Sequence, residues 1–359
     1  MRLPTRRIST VLAACLCLSA APPASAAGDG AQVGVEPVVR LPIPERRVSP
    51  DYPPDMLGEG REGWAVMRFT VKADGSVNDV EVVEASNGQF AKPAARALSR
   101  WRFQPATADG TPVDIHNQVT RLTFLIQGTG GKYVSSRTVQ SAIGAAQSAL
   151  ADGRLDEVSA ALDSLHEEAK TLNDYAYIDT LEAHWHLRRG DLDQAIRLLR
   201  RASASPDQVD ATFQAERLLE LFRLQTRAGY YADAIKTFER MQEIKRVAPP
   251  PEIVRAVAKI RELAASDAPM TIALPVDDPC SLEETCAEGS GYTEYRPIRR
   301  TVVLEAVQGR LDRAEARCAF ARSGLDTTPG AVWPLDPAWG DCDITLHAPK
   351  DTIVTLAEK

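Results

Sequence analysis

The chain changes the period of its hydrophobic pattern twice. A segment whose apolar residues repeat every two positions cannot settle as the same element as one that repeats every three or four. Over residues 50–127 strand-like alternation surrounds one helical stripe, residues 135–266 carry helical spacing almost throughout, and residues 269–359 return to short alternating runs between Pro- and Gly-rich turns. The expected fold class is therefore α+β and multidomain: a small antiparallel sheet plus a helix, an α-helical repeat segment, and a small β domain. The joints fall at Gly128-Thr129-Gly130-Gly131 and Ser266-Asp267-Ala268-Pro269, both of linker composition. Residues 27–49 lack periodicity and read as a short extended leader.

The first 26 residues have the composition of a secretory signal peptide. Arg2, Arg6 and Arg7 precede the apolar stretch Ile8–Ala21, and the small triplet Ala24-Ser25-Ala26 follows it. That stretch is shorter than the roughly 20 residues of a membrane-spanning helix, so cleavage after Ala26 and export are expected. Leu12-Ala13-Ala14-Cys15 resembles a lipoprotein signal, in which Cys15 would carry lipid and tether the protein to a membrane. Losing residues 1–26 removes three arginines and lowers the formal charge from −7 to −10, which argues against nucleic acid as a partner. Cys280, Cys286, Cys318 and Cys342 remain. In an oxidising compartment an even number predicts two disulfides, and of the three pairings Cys280–Cys286 with Cys318–Cys342 is the one with the shortest closures.

In the first segment Ala65, Met67, Phe69 and Val71 alternate with Trp64, Val66, Arg68 and Thr70, the signature of a strand with one face on a core. Asp74-Gly75 suits the tight turn into a second strand, Val77–Ala85. Phe90, Ala94, Ala97, Leu98 and Trp101 then form a helical stripe, with Pro93 expected in its first turn. Trp101, Phe103 and Phe124 read as core, and Gln118–Ile126 as a last strand.

Tyr52-Pro53-Pro54, Asp74-Gly75-Ser76-Val77, Val80, Val82, Ala85-Ser86, Ala94, Ala97, Trp101-Arg102-Phe103-Gln104-Pro105-Ala106 and Gly110-Thr111-Pro112-Val113 occur in that order. Together they resemble the TonB C-terminal domain, with Met56 departing from the small residue common there. The resemblance implies a non-enzymatic module that binds protein partners, among them the N-terminal segment of an outer-membrane receptor. The last strand would add such a segment through its free edge, here Asn117, Gln118, Val119, Thr120, Arg121, Leu122, Thr123, Phe124, Leu125 and Ile126. A TonB that transmits inner-membrane energy also has a permanent anchor and a long Pro-rich rod. The 25 residues from Ala27 to Asp51 reach under roughly 90 Å when fully extended, so energy transduction is not expected.

Gly153-Arg154-Leu155, Gly190-Asp191-Leu192 and Gly229-Tyr230-Tyr231 each open a helix with the same pattern, 37 and 39 residues apart, and each follows an earlier helical run. This resembles degenerate tetratricopeptide repeats, whose role would be a peptide groove or a plain spacer. Arg188, Arg189, Arg197, Arg200 and Arg201 read as a solvated basic face. In the last segment Trp333 and Trp339 read as buried rather than as an exposed platform.

No catalytic constellation stands out. His184 and His186 are two apart, about 200° around a helix, and cannot share a metal ion. His116, His166 and His347 stand alone. The cysteine spacings do not suit zinc, and phosphate loops and GxSxG are missing from the sequence. Neither a metal nor a cofactor is expected. Three functions stay open: a periplasmic protein-interaction module, a membrane-tethered component of transport through TonB-dependent receptors, and a hydrolase hidden in the last segment.

Overall fold

The computed structural model describes residues 39–126, 137–204, 211–244, 247–276 and 290–359. The chain enters through two short strands, β1 (Val39–Arg40) and β2 (Ile43–Arg46), so part of the aperiodic leader is paired with the first domain. After a one-turn helix α1 (Pro54–Gly58), β3 (Gly63–Val71) and β4 (Val77–Ala85) form an antiparallel hairpin. Gly75 turns it with φ of 78°, and a Cβ there would sit 2.0 Å from the Phe103 carbonyl oxygen. Only glycine meets both conditions.

Asn87 caps α2 (Gly88–Leu98) by accepting the Gln89 N–H. The helix starts early enough that Pro93 lies inside it, one turn later than the sequence predicted; its ring is buried against the core. Short strands β5 (Arg102–Gln104), β6 (Ala106–Ala108) and β7 (Thr111–Val113) lead to β8 (Ile115–Phe124). The main sheet has the order β4-β3-β8, while β1 pairs with β6 and β2 with β5. One face of that sheet and α2 enclose Ala65, Met67, Phe69, Val71, Phe90, Ala94, Ala97, Leu98, Trp101, Phe103 and Phe124, all buried. Phe90 and Phe124 pack with ring centres 4.6 Å apart and planes tilted by 40°, and Tyr52 meets both edge-on.

The described residues between 137 and 264 are mostly helical. Three helix hairpins, α3 (Arg137–Ala151) with α4 (Leu155–Glu168), α5 (Leu172–Arg189) with α6 (Leu192–Ala202) and α7 (Ala211–Ala228) with α8 (Tyr231–Glu243), precede α9 (Pro251–Ala264). Gly153, Gly190 and Gly229 take φ of 79°, 85° and 84° at the three turns, the left-handed ending that lets a helix stop within one residue. Ala195 and Ala234 are fully buried, where larger side chains would hold paired helices apart.

The last segment is two four-stranded antiparallel sheets with one shared core. They are built from β9 (Met270–Pro275), β10 (Ser290–Tyr295), β11 (Thr301–Gln308), β12 (Arg313–Cys318), β13 (Arg322–Leu325), β14 (Val332–Pro334), β15 (Cys342–Pro349) and β16 (Ile353–Glu358), in the orders β10-β15-β12-β13 and β14-β11-β16-β9. Cys318 and Cys342 face each other on β12 and β15 and form a disulfide, as their spacing predicted. Cys280 and Cys286 lie outside the described residues, as do Cys15 and the signal segment. Trp333 is buried with its indole N–H donated to the Asp326 carbonyl, and Trp339 packs at the margin of the same core.

These parts meet on the second face of the first sheet. Arg68 pairs with Glu294 at 2.6 Å, Glu81 with Arg317 at 2.7 Å and Glu84 with Arg201 at 3.2 Å. Arg201 is therefore no solvated residue: it also grips the buried carboxylate of Asp179. Burial pulls its guanidinium down, but Asp179 and Glu84 more than offset this and hold it above its ordinary range. Among the described residues no helix is long and apolar enough to cross a membrane.

Candidate functional site

The strand that carries the expected docking edge starts three residues before Gln118 and ends at Phe124. Its pairing determines what it offers. The N–H and C=O of Trp64 on β3 both turn toward Ser86 beyond β4. In an antiparallel ladder these directions alternate, so Gly63, Ala65, Met67 and Phe69 turn toward β8 and hold their register partners Phe124, Leu122, Thr120 and Gln118. The backbone groups of Val119, Arg121 and Thr123 are left pointing outward.

The beginning of the strand behaves differently. Between Phe69 and Val71 of β3 the partner strand carries one extra residue, and Asn117 takes φ of 54° in that bulge. Its side-chain amide donates to the Arg317 carbonyl at 3.1 Å and to Asp343 at 2.8 Å. The outward N–H of His116 donates to the Ala319 carbonyl at 2.7 Å. Ala319 and Phe320 form the tip between β12 and β13, pack on the first core, and come directly after the disulfide at Cys318. The last domain thus closes the first part of the edge and leaves the rest.

Of the ten residues expected to form the site, the structure divides the roles. Asn117 is engaged by the last domain, and Gln118 donates to the His116 carbonyl. Thr120, Leu122 and Phe124 face β3 through their backbones, and the side chains of Leu122 and Phe124 are buried. Ile126 donates its N–H to Glu62 at 3.3 Å. Val119 is 57% exposed and Leu125 38%. Alternation places their side chains on the same side as Arg121 and Thr123. The Arg121 guanidinium lies 4.2 Å from the centre of the Trp64 ring, and burial lowers it to about 10. Trp64, read only as the alternate of a core position, is thus buried under a cation.

The sequence reading missed Ala319, His116 and Glu62, which bound the edge at its two ends. Glu62 carries the signal of a buried carboxylate at a strand entry, but its second acceptor contact, to the Leu172 N–H, is 110 positions away. Each lone histidine has a neighbour: His116 with Thr70, His166 with Glu182, His347 with Arg313. His184 binds Glu220 and His186 binds Asp191. A cleft of about 240 Å³ lies beside the second face, lined by Trp64, Tyr175, His166, Asp179 and Arg201 among others. Its main charges are already paired with each other. Among the described residues no group of three metal-binding side chains occurs.

A three-stranded antiparallel sheet with one helix on its inner face and a last strand only half covered defines the class: a small α+β domain. Residues 48–124 match the family described as Gram-negative bacterial TonB protein C-terminal. Protein TonB of Pseudomonas aeruginosa is 32% identical over 82 residues, 23% of this chain and 23% of that relative, so the chain spans under a quarter of its length. Among solved structures, the TonB C-terminal domain of Pseudomonas aeruginosa is 29% identical, covering 24% of this chain and 87% of that one with a TM-score of 0.22. The TonB2 protein from Vibrio anguillarum is 34% identical, covering 23% and 80%, with a TM-score of 0.20.

Proposed function

We propose that this protein is an exported interaction module of the bacterial envelope, in which Val119–Thr123 adds one extended segment of a partner protein as a fourth strand. The observation that carries this reading is the outward set of N–H and C=O groups on Val119, Arg121 and Thr123. Among the described residues none of them has a backbone partner, in a domain whose family is TonB C-terminal. The partner that fits is an extended segment near the N-terminus of an outer-membrane receptor. Six backbone hydrogen bonds at about 1 kcal/mol each barely offset the several kcal/mol that association costs. Val119 and Leu125 therefore have to contribute apolar contact, and alternate partner side chains give selectivity. The helix hairpins, which resemble tetratricopeptide repeats, supply a second protein-binding surface in this reading.

The test uses the direction of the backbone. Proline at 119 removes an outward donor, which an edge strand tolerates, whereas proline at 120 removes a bond to β3. Val119→Pro is expected to abolish binding of a labelled receptor N-terminal peptide to the full chain at a stability cost of roughly 1 kcal/mol or less. Thr120→Pro is expected to cost about 3 kcal/mol or more. Unchanged peptide affinity in Val119→Pro would rule out pairing at this edge.

A further inference from the structure

Away from the docking edge, the strands that enter the first domain carry an unusual surface. Val39, Leu41 and Ile43 are 37%, 68% and 59% exposed, large apolar side chains at every second position of an extended run. Period two puts them on one side, while Pro42, between Leu41 and Ile43, and Pro44, just after Ile43, are half-buried.

Arginines gather next to this apolar run. Arg46 of β2 lies directly opposite Arg102 of β5 in the register, and like charges so placed repel. Arg46 also donates to the Arg100 carbonyl at 3.1 Å, and the Arg47 guanidinium lies 5.2 Å from the centre of the Trp101 ring. Arg40 on β1 and Arg96, one turn before Arg100 on α2, are exposed alongside. The acids nearby offset this only in part. Asp51 reaches Arg100 at 4.0 Å and is itself highly exposed, Asp74 accepts from the Ser76 N–H and lies within electrostatic reach of Arg102, and Glu45 is exposed between the arginines. Six arginines against three carboxylates leave a cationic face on a chain whose formal charge is −7.

A cross-strand pair of arginines that the nearby acids neutralise only in part, beside three solvent-facing aliphatic side chains, matches an anionic bilayer surface on both counts. The aliphatic side chains can enter the boundary between headgroups and acyl chains, and the guanidiniums can meet phosphate. We infer that the face formed by Val39, Leu41, Ile43, Arg46, Arg47 and Arg102 rests on a bilayer rich in anionic phospholipid. A soluble polyanion would use the arginines and leave the aliphatic row in water. An apolar protein surface would leave the Arg46–Arg102 repulsion unrelieved.

The experiment is co-sedimentation of the full chain with vesicles of phosphatidylcholine alone and with about one third phosphatidylglycerol, run at low and high salt. Binding is expected only to the anionic vesicles and is expected to weaken as salt rises. Arg46→Glu with Arg102→Glu should lower partitioning by about tenfold or more. Leu41→Ser with Ile43→Ser should lower it comparably, both variants keeping the wild-type circular dichroism and melting transition. If the charge reversals disturb folding, Arg46→Gln with Arg102→Gln replaces them. Equal binding to neutral vesicles, or variants that bind like the parent, overturns the inference. So does binding to soluble polyglutamate that matches the vesicles and ignores the loss of Leu41 and Ile43.

Discussion

The two faces of the first sheet are covered by different kinds of interaction. The inner face is apolar and closed by the adjacent helix: Phe90 and Phe124 touch at 4.6 Å within a set of buried aliphatic and aromatic side chains. The second face is covered from a distance by charge, with Arg68, Glu81 and Glu84 finding Glu294, Arg317 and Arg201. Apolar burial is additive and non-directional, so it stabilises whatever collapses onto it. These ion pairs are only partly buried, Glu81 being 41% exposed, and such pairs add little stability but require matched partners. The inner face therefore supplies stability, and the second face sets which surfaces dock there and in which register.

That contrast can be broken by substitution. Phe124→Ala should cost about 3–5 kcal/mol of unfolding free energy, read from urea denaturation, because a ring in contact with Phe90 and Tyr52 is removed. Arg201→Met should cost about as much, since it leaves the Asp179 carboxylate buried and unpaired. Pairing it with Asp179→Leu should recover most of the loss. Failure to recover would mean that the pair contributes to stability rather than to docking. Cys318→Ala with Cys342→Ala should cost about 2–4 kcal/mol, and should also raise amide exchange at His116, whose N–H depends on the stapled tip at Ala319.

The smallest effect is pH-dependent. The hydrogen bond that His166 donates to Glu182 at 3.0 Å holds it above the ordinary histidine range. A raised value means that the folded state binds the proton more tightly than the unfolded chain. The contribution is complete below about pH 6.5 and fades as pH rises through the raised value. His166→Gln should therefore destabilise by less than about 1 kcal/mol near pH 5.5, because the pair is partly solvated, and by nothing measurable at pH 9. A cost that grows with pH would show that the imidazole acts through packing instead.

The inner face was legible in the sequence and the second face was not. Ala65, Met67, Phe69 and Val71, the stripe from Phe90 to Trp101, the Asp74-Gly75 turn and the Gly153, Gly190 and Gly229 helix ends all obey local rules. Their spacing or backbone requirement lies within a few residues. The strands at Val39–Arg46 escaped because they are short and interrupted by Pro42 and Pro44, which hides any period. The Asn117 bulge escaped because an asparagine at positive φ has no signature that distinguishes it from one in a regular strand. Arg201 was read as solvated because its partners Asp179 and Glu84 are 22 and 117 positions away. The proposed docking edge was suggested by a resemblance to a family. Which of its atoms face outward became visible only from the pairing of Trp64.

The bond between Glu81 and Arg317 spans 236 positions. A chain that emerges from its N-terminal end can close the inner core once Phe124 is out, yet the charged face beside it then waits for almost all of the remaining residues. During that interval the outward groups of His116 have no Ala319 to meet, and the whole edge of β8 is exposed to any strand nearby. Long-range closures of this kind are slow and open to mispairing. The same contact that limits the open edge of β8 in the finished protein thus makes the interval before its formation the period when a holding factor would matter most.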